Sequence, residues 1–212
     1  MSSIATLDQL LEQTASLHHH LCPRQVLGVR MGMLAGRWLG VDLPQSNKRV
    51  FVFMETDGCG SDGVSVATGA WVGRRTMRVL DFGKVAATFV DTASGAAVRI
   101  HPHSESRARA IAAAPEARDR WHAQLLGYRR LTDEGLLVAE PVALTVDLAT
   151  LISRPGARSL CSMCGEEIMN ERELHRSGEV LCRSCAGQTY YALSSLVPSQ
   201  IPAPHAIGWA SR

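Results

Sequence analysis

Six cysteines carry most of the chemistry that this sequence can offer, and four of them are paired. Cys161-Ser162-Met163-Cys164 and Cys182-Arg183-Ser184-Cys185 are C-x-x-C units separated by seventeen residues. Zinc takes four soft ligands in a tetrahedron, and a C-x-x-C turn is tight enough to offer two sulfurs to one metal. Gly165, directly after the second cysteine, suits such a turn. One C-x-x-C alone could be a redox pair, but two at this spacing point to metal. Four thiolates close the coordination shell, so His175 between the pairs is expected on the surface and the site is expected to be structural rather than catalytic. A zinc ribbon or treble clef is the expected form.

The other two cysteines lie near histidines or carboxylates. Cys22 ends the run His18-His19-His20-Leu21-Cys22-Pro23. Alternate residues of an extended segment face one way, which would bring His18, His20 and Cys22 to one place. Imidazole and thiolate together suit zinc, iron or copper. Cys59 lies in Glu55-Thr56-Asp57-Gly58-Cys59-Gly60-Ser61-Asp62, between a strand and a helix. Backbone N–H groups at a helix start favour a thiolate, so both thiols are expected to be acidified. Asp62 could orient a ligand or act as a base. The bland alternative is a polar histidine loop and two small buried residues.

These residues need elements to hold them. Ile4, Leu7, Leu10, Leu11 and Leu17 share one helical face, predicting a helix over 6–16 with Thr6 at its start. After a break at 18–23, Pro23 can occupy the first turn of a second helix running to Leu39. Gly28, Gly32 and Gly36 recur on one side of it, either for a close backbone approach or as merely tolerated glycines. Strands are expected at 49–56, 77–81, 85–90 and 96–100, with a short helix at 61–70. Helical pattern runs from Ser104 to Arg130, broken near Pro115, and a last strand is expected over 136–146. The main domain, residues 1–153, thus reads as α+β: an antiparallel or mixed sheet with flanking helices. Arg154-Pro155-Gly156 reads as a linker, residues 158–192 as the zinc module and 193–212 as a tail over the surface.

Composition narrows the function classes. The 212 residues are 46% hydrophobic and 20% charged, ordinary for a globular protein able to stand without covalent help. A net charge of +2 and 5% aromatics argue against a nucleic-acid partner. No apolar run reaches the ~20 residues of a membrane span, and the N-terminus lacks a secretory pattern, so no membrane partner and a cytoplasmic location are expected.

His18-x-His20-x-Cys22-Pro23 followed by Leu27-Gly28-Val29-Arg30-Met31-Gly32 resembles the opening motif of the FmdE family, named for formylmethanofuran dehydrogenase. The block Glu55 to Val64 with Thr68-Gly69 is similar to that family's second motif, and Asp81-Phe82-Gly83-Lys84 with Ala87-Thr88-Phe89 to its third. Val98-Arg99 after Ser94-Gly95 also fits. Arg24 and His19 depart from the pattern, where the family has a glycine and a small residue. The resemblance implies an α+β core that forms a homodimer, a His/Cys cleft proposed as a metal or active site, and a C-terminal four-cysteine zinc module. Arg24 would then put bulk and charge at the mouth of the cleft. The family name derives from an operon and does not by itself assign that enzyme's activity.

Three functions follow. In the first, His18, His20, Cys22 and Cys59 hold a catalytic transition metal with an open position, assisted by Asp62 and Lys84, and act on a small-molecule or cofactor ligand. Without metal, Cys59 becomes a nucleophile with a histidine such as His20 as base. In the second, the chain is a metal carrier or an accessory protein docking on a partner through its zinc module. The third is a nucleic-acid-binding regulator using that module.

Overall fold

The computed structural model describes residues 5–152 and 156–192, with His18 by its backbone alone. Arg154-Pro155 and the tail expected over 193–212 lie outside the described residues. The chain divides into two compact units, Met1–Ile152 and Ser153–Arg212.

In the first unit, helix α1 (Leu7–His18) opens on a reciprocal cap. Gln9 N donates to Thr6 Oγ1 at 3.3 Å, and Thr6 N donates to Gln9 Oε1 at 2.8 Å, satisfying two amides that the first turn leaves without partners. Its apolar stripe buries Leu10 and Leu11. Helix α2 (Pro23–Leu39) begins at the proline, whose missing N–H costs nothing in a first turn, and ends on Gly40 at φ 65°. Strand β1 (Val50–Met54) leads into helix α3 (Cys59–Thr68) and then strand β2 (Met77–Val79), which runs parallel to β1. Strands β3 (Ala87–Asp91), β4 (Ala97–Pro102) and β5 (Leu137–Pro141) add antiparallel, giving a mixed sheet of order β2-β1-β3-β4-β5. Between β4 and β5 lie helices α4 (Ser106–Ala113) and α5 (Arg120–Arg130) and the single turn α6 (Asp133–Leu136). Pro141 closes the edge strand, where no ladder partner needs its absent N–H.

Alternation along the strands sorts the two faces. Val50, Val52, Met54, Phe89, Val98 and Ile100 join the core formed with α1, α2 and α3. Each such side chain, fully buried, contributes about 1.5–3 kcal/mol. Phe51, Phe53, Val90 and Ala97 face the other way, covered by Val142, Leu144 and the short helix α7 (Leu148–Ile152). Beyond those phenylalanines the second face turns polar. Arg99 donates to both oxygens of Glu55, at 2.6 and 2.8 Å, and holds its carboxyl below the usual carboxylate range.

Two close contacts set the helical layer. A Cβ on Gly28 of α2 would lie 2.2 Å from Gly60 O, and one on Gly63 of α3 would lie 2.4 Å from Gln25 O. The glycine stripe therefore serves backbone contact between α2 and α3, and real side chains would force them apart. Contacts of Gly28 with Gly60 and of Gly32 with Ala67 keep the same order along both helices, so α2 and α3 run parallel. A buried arginine fixes the next neighbour. Arg30 donates to Tyr128 O and Leu131 O, each at 2.8 Å, and to Asp133 Oδ1 at 2.9 Å. A cation there satisfies carbonyls that the end of α5 leaves open.

The second unit is two small hairpins, β6 (Arg158–Leu160) with β7 (Glu167–Met169) and β8 (Leu174–Arg176) with β9 (Glu179–Leu181). Its core is only Cys161, Ile168, Leu181 and Ala186, far too little apolar surface to hold a fold by itself.

Candidate functional site

The four cysteines of the small unit supply what that core lacks. Cys161 follows β6, Cys182 follows β9, and Cys164 and Cys185 complete the turns; one sulfur from each lies within 4.8 Å of every other. Cys164 and Cys182 sulfurs are 3.9 Å apart, close to the ~3.8 Å edge of a tetrahedron with 2.3 Å zinc–sulfur bonds. The peptide chain prepares anionic sulfurs as well. Cys182 N donates to Cys161 Sγ and Cys185 N to Cys182 Sγ, both at 3.3 Å. Amides around Cys161 lower its thiol to about 6, whereas the neighbouring sulfurs push Cys185 up to about 12. A divalent cation at their centre removes that conflict, because it deprotonates coordinating thiols outright. The donor set and spacing fit zinc, and no fifth group is needed. His175 lies exposed on β8, outside the cluster.

The larger unit assembles a different pair. Cys22 is the N-cap of α2, held by the Gln25 side chain, whose Oε1 accepts Cys22 N at 2.7 Å. Cys59 is the first residue of α3. Since α2 and α3 run parallel at glycine-determined separation, their N-termini lie side by side and the two thiols come within hydrogen-bonding reach. Both are half-buried. The expectation of an acidified Cys59 is not met. Burial pushes this thiol up, and the neighbouring Cys22 and Asp62 push it the same way, against its own backbone amide. Desolvation outweighs the helix terminus because the thiol is sunk between two helices rather than displayed at one. Beside it, the fully buried Gln25 keeps Nε2 without a partner among the described residues.

The thiols open on a cleft of about 600 Å³, large enough for a small organic ligand. Cys22, Arg24 and Leu27 line one side, Cys59 and Val85 the floor, and α4 and α5 the opposite wall. Sequence alone does not reveal that wall. Trp121, Gln124 and Tyr128 of α5 line it at helical i, i+3, i+7 spacing, a stripe visible in the sequence but not distinguishable there from core. His103 also lines the cleft, with Nδ1 accepting Glu105 N at 3.1 Å, which leaves Nε2 to carry the proton of the neutral ring.

The remaining expected site residues distribute unevenly. His20 is exposed just before Cys22 and does not line the cleft. His20, Cys22 and Cys59 are not a convergent ligand set in this conformation; among the described residues only the four C-terminal cysteines are one. Asp62 sits in the first turn of α3, close enough to act on Cys59. Lys84 is exposed in the loop before β3, its charge acting on Glu55 and its amide donating to Glu55 O at 3.1 Å.

Set against known proteins, residues 17–136 match the family described as "FmdE, Molybdenum formylmethanofuran dehydrogenase operon", and residues 155–191 match the prokaryotic dksA/traR C4-type zinc finger. The chain is 35% identical over 103 residues to a probable S-adenosyl-L-methionine-binding protein of Archaeoglobus fulgidus. That match takes in 47% of this chain but spans only 28% of the relative's length. The fold is similar to that of an FmdE-like protein of tungsten formylmethanofuran dehydrogenase from Syntrophus aciditrophicus. There the TM-score is 0.58 at 22% identity, over 91% of this chain and 100% of that one. No helix among the described residues is long and apolar enough to cross a membrane.

Proposed function

This chain belongs to the FmdE family, and we propose that its working site is the cleft floored by Cys22 and Cys59, where the two thiols hold a soft metal ion with positions open to a ligand. The single observation behind this reading is that thiols from two different helices lie together on the wall of a cleft rather than in packed core. Two adjacent thiols fit zinc, iron or copper, and His18 and His20 on the adjoining chain are the residues to complete the set. A metal held there would supply Lewis acidity toward whatever occupies the cleft. The protein's own residues would do the rest. Burial keeps Cys59 protonated until a cation replaces its proton, and His103 presents an N–H that can bind or deliver a proton at a ligand atom. The zinc of the small unit is structural in this reading. A thiol held protonated at neutral pH is a poor free nucleophile, which favours the metal over a Cys59 nucleophile.

A carrier that exchanges this metal without catalysis shares the same site, and turnover separates the two. A small-unit contact with nucleic acid ranks below both, since strongly salt-dependent binding has no basis in a net charge of +2. Homodimerisation is part of the proposal, and sedimentation equilibrium tests it. Metal content per chain decides the central claim. Wild type is expected to carry a second equivalent beyond the structural zinc, lost in both Cys22→Ser and Cys59→Ser. A single equivalent in all three proteins would refute it.

A further inference from the structure

The cleft above the thiols is charged in one sense only. Arg24 from the first turn of α2 and Arg107 from the first turn of α4 both line it, and no aspartate or glutamate does. Elsewhere in this unit arginines are neutralised: Arg30 by Asp133, Arg49 by Asp91, Arg99 by Glu55, Arg109 by Glu105 and Arg130 by Glu116. Arg24 and Arg107 have no carboxylate partner among the described residues; Arg107 meets only the Tyr128 hydroxyl. The nearest carboxylate in sequence, Glu105, is held by Arg109 at 2.6 Å.

Backbone polarity adds in the same direction. Cys22 caps α2, Cys59 begins α3 and Ser106 begins α4, so three helices turn their N-terminal ends toward one cleft. Helix N-termini carry partial positive charge and free amides. Two unneutralised guanidiniums at the same place cost repulsion and contribute nothing to folding. Their placement is accounted for by an anion that enters from solvent.

The rest of the lining indicates the shape of that anion. Trp121 lies on the wall with 44% of its surface exposed, beside Leu27, Val85 and the buried Tyr128. A large ring left open to solvent inside a cleft offers a face for a flat partner. We infer that the cleft takes a small organic oxyanion bearing a flat ring, with its acid group on Arg24 and Arg107, its ring against Trp121, and its far end at the two thiols. This deepens the reading of the cleft as the working site and rests on it only for what happens at the thiol end.

The probe pair 1-anilinonaphthalene-8-sulfonate and its uncharged analogue N-phenyl-1-naphthylamine tests it by fluorescence titration of the full chain. Wild type is expected to bind the sulfonate at least about tenfold more tightly, the effect of one charge-assisted contact. Arg24→Gln and Arg107→Gln should each weaken sulfonate binding about tenfold and leave the neutral probe unchanged. Arg74→Gln, an exposed arginine away from the cleft, should change neither. Trp121→Leu should weaken both probes. The Cys22→Ser/Cys59→Ser double variant should keep the charge preference, so loss of metal with retained sulfonate binding sinks the metal reading and spares this one. Equal binding of the two probes by wild type, or undiminished sulfonate binding by both glutamine variants, overturns the oxyanion assignment whatever the metal content.

Discussion

Replacing Gly28 by alanine should separate the two thiols from a distance. The new Cβ would lie 2.2 Å from Gly60 O and 3.0 Å from Val64 N, where ordinary contact begins at 3.4 Å. Both obstacles are backbone atoms of α3, so no rotamer change relieves them. The helices must part by roughly 1 Å, and overpacking of this kind costs about 1–3 kcal/mol, here toward the upper end. Alanine returns about 1 kcal/mol of helix propensity. The net is a loss of about 2 kcal/mol, or roughly 4–8 °C in Tm for a unit of this size. Gly60→Ala is the matched control within the same interface. Its Cβ would meet only Arg24 O, at 3.7 Å, so the propensity gain should stand and stability should hold or rise. Calorimetry gives the Tm, and titration with phenylarsine oxide, which needs two neighbouring thiols, reads the Cys22–Cys59 pairing. Gly28→Ala is expected to lower both Tm and arsenical affinity, and Gly60→Ala neither. If Gly28→Ala melted within about 1 °C of wild type and bound the arsenical unchanged, close helix packing would not be what seats the thiols.

Three further outcomes are expected. Arg30→Ala removes the donor shared by Tyr128 O, Leu131 O and Asp133, and leaves buried carbonyls unpaired. A loss of about 3 kcal/mol in urea unfolding is expected, and a loss below about 0.5 kcal/mol would refute the pinning role. Arg49, Ser94 Oγ and Ala93 N hold the Asp91 carboxyl well below its usual range. A folded-state pKa below the unfolded one stabilises above about pH 4 and is lost as pH falls toward the folded value. Asp91→Asn should therefore flatten the acid limb of the stability profile, and an unchanged limb would count against the linkage. In the small unit, Cys164→Ser should release the zinc and abolish amide-exchange protection over residues 158–181; retained protection without metal would show that the hairpins stand unaided.

Local signals in the sequence located local structure. Pro23 and the glycine after Leu39 bound α2 where the chain predicts it, and the doubled C-x-x-C places the zinc ligands. Whatever depends on a partner distant in the chain was less legible. The glycine stripe of α2 could not be read as contact because its counterparts, Gly60 and Gly63, belong to another element. The direction of β2 was open because α3 carries the chain across before it pairs, which makes β2 parallel to β1 within an otherwise antiparallel sheet. The strand expected over 136–146 shortens to Leu137–Pro141, as Thr132 caps the turn α6 just ahead of it and Pro141 cannot extend the ladder. The cleft itself follows from packing α5 against α2 through Arg30, a junction no window of sequence contains. Thiol acidity was misjudged for the same reason. The helix terminus is local and visible in sequence, while the burial that opposes it is not.

Because Cys22 and Cys59 meet only when α2 has docked on α3, neither helix alone presents the pair, and the unfolded chain has no equivalent of it. Anything that bridges both sulfurs thus recognises the docked core and not the open one. By mass action such a ligand at a hundred times its Kd would add about 2.7 kcal/mol to the stability of that core. That is enough to offset the whole expected penalty of Gly28→Ala. The occupancy of the thiols and the closure of the helical layer are one equilibrium, so a cell with a supply of the bridging ligand would hold this unit more rigid, and longer-lived, than a cell without it.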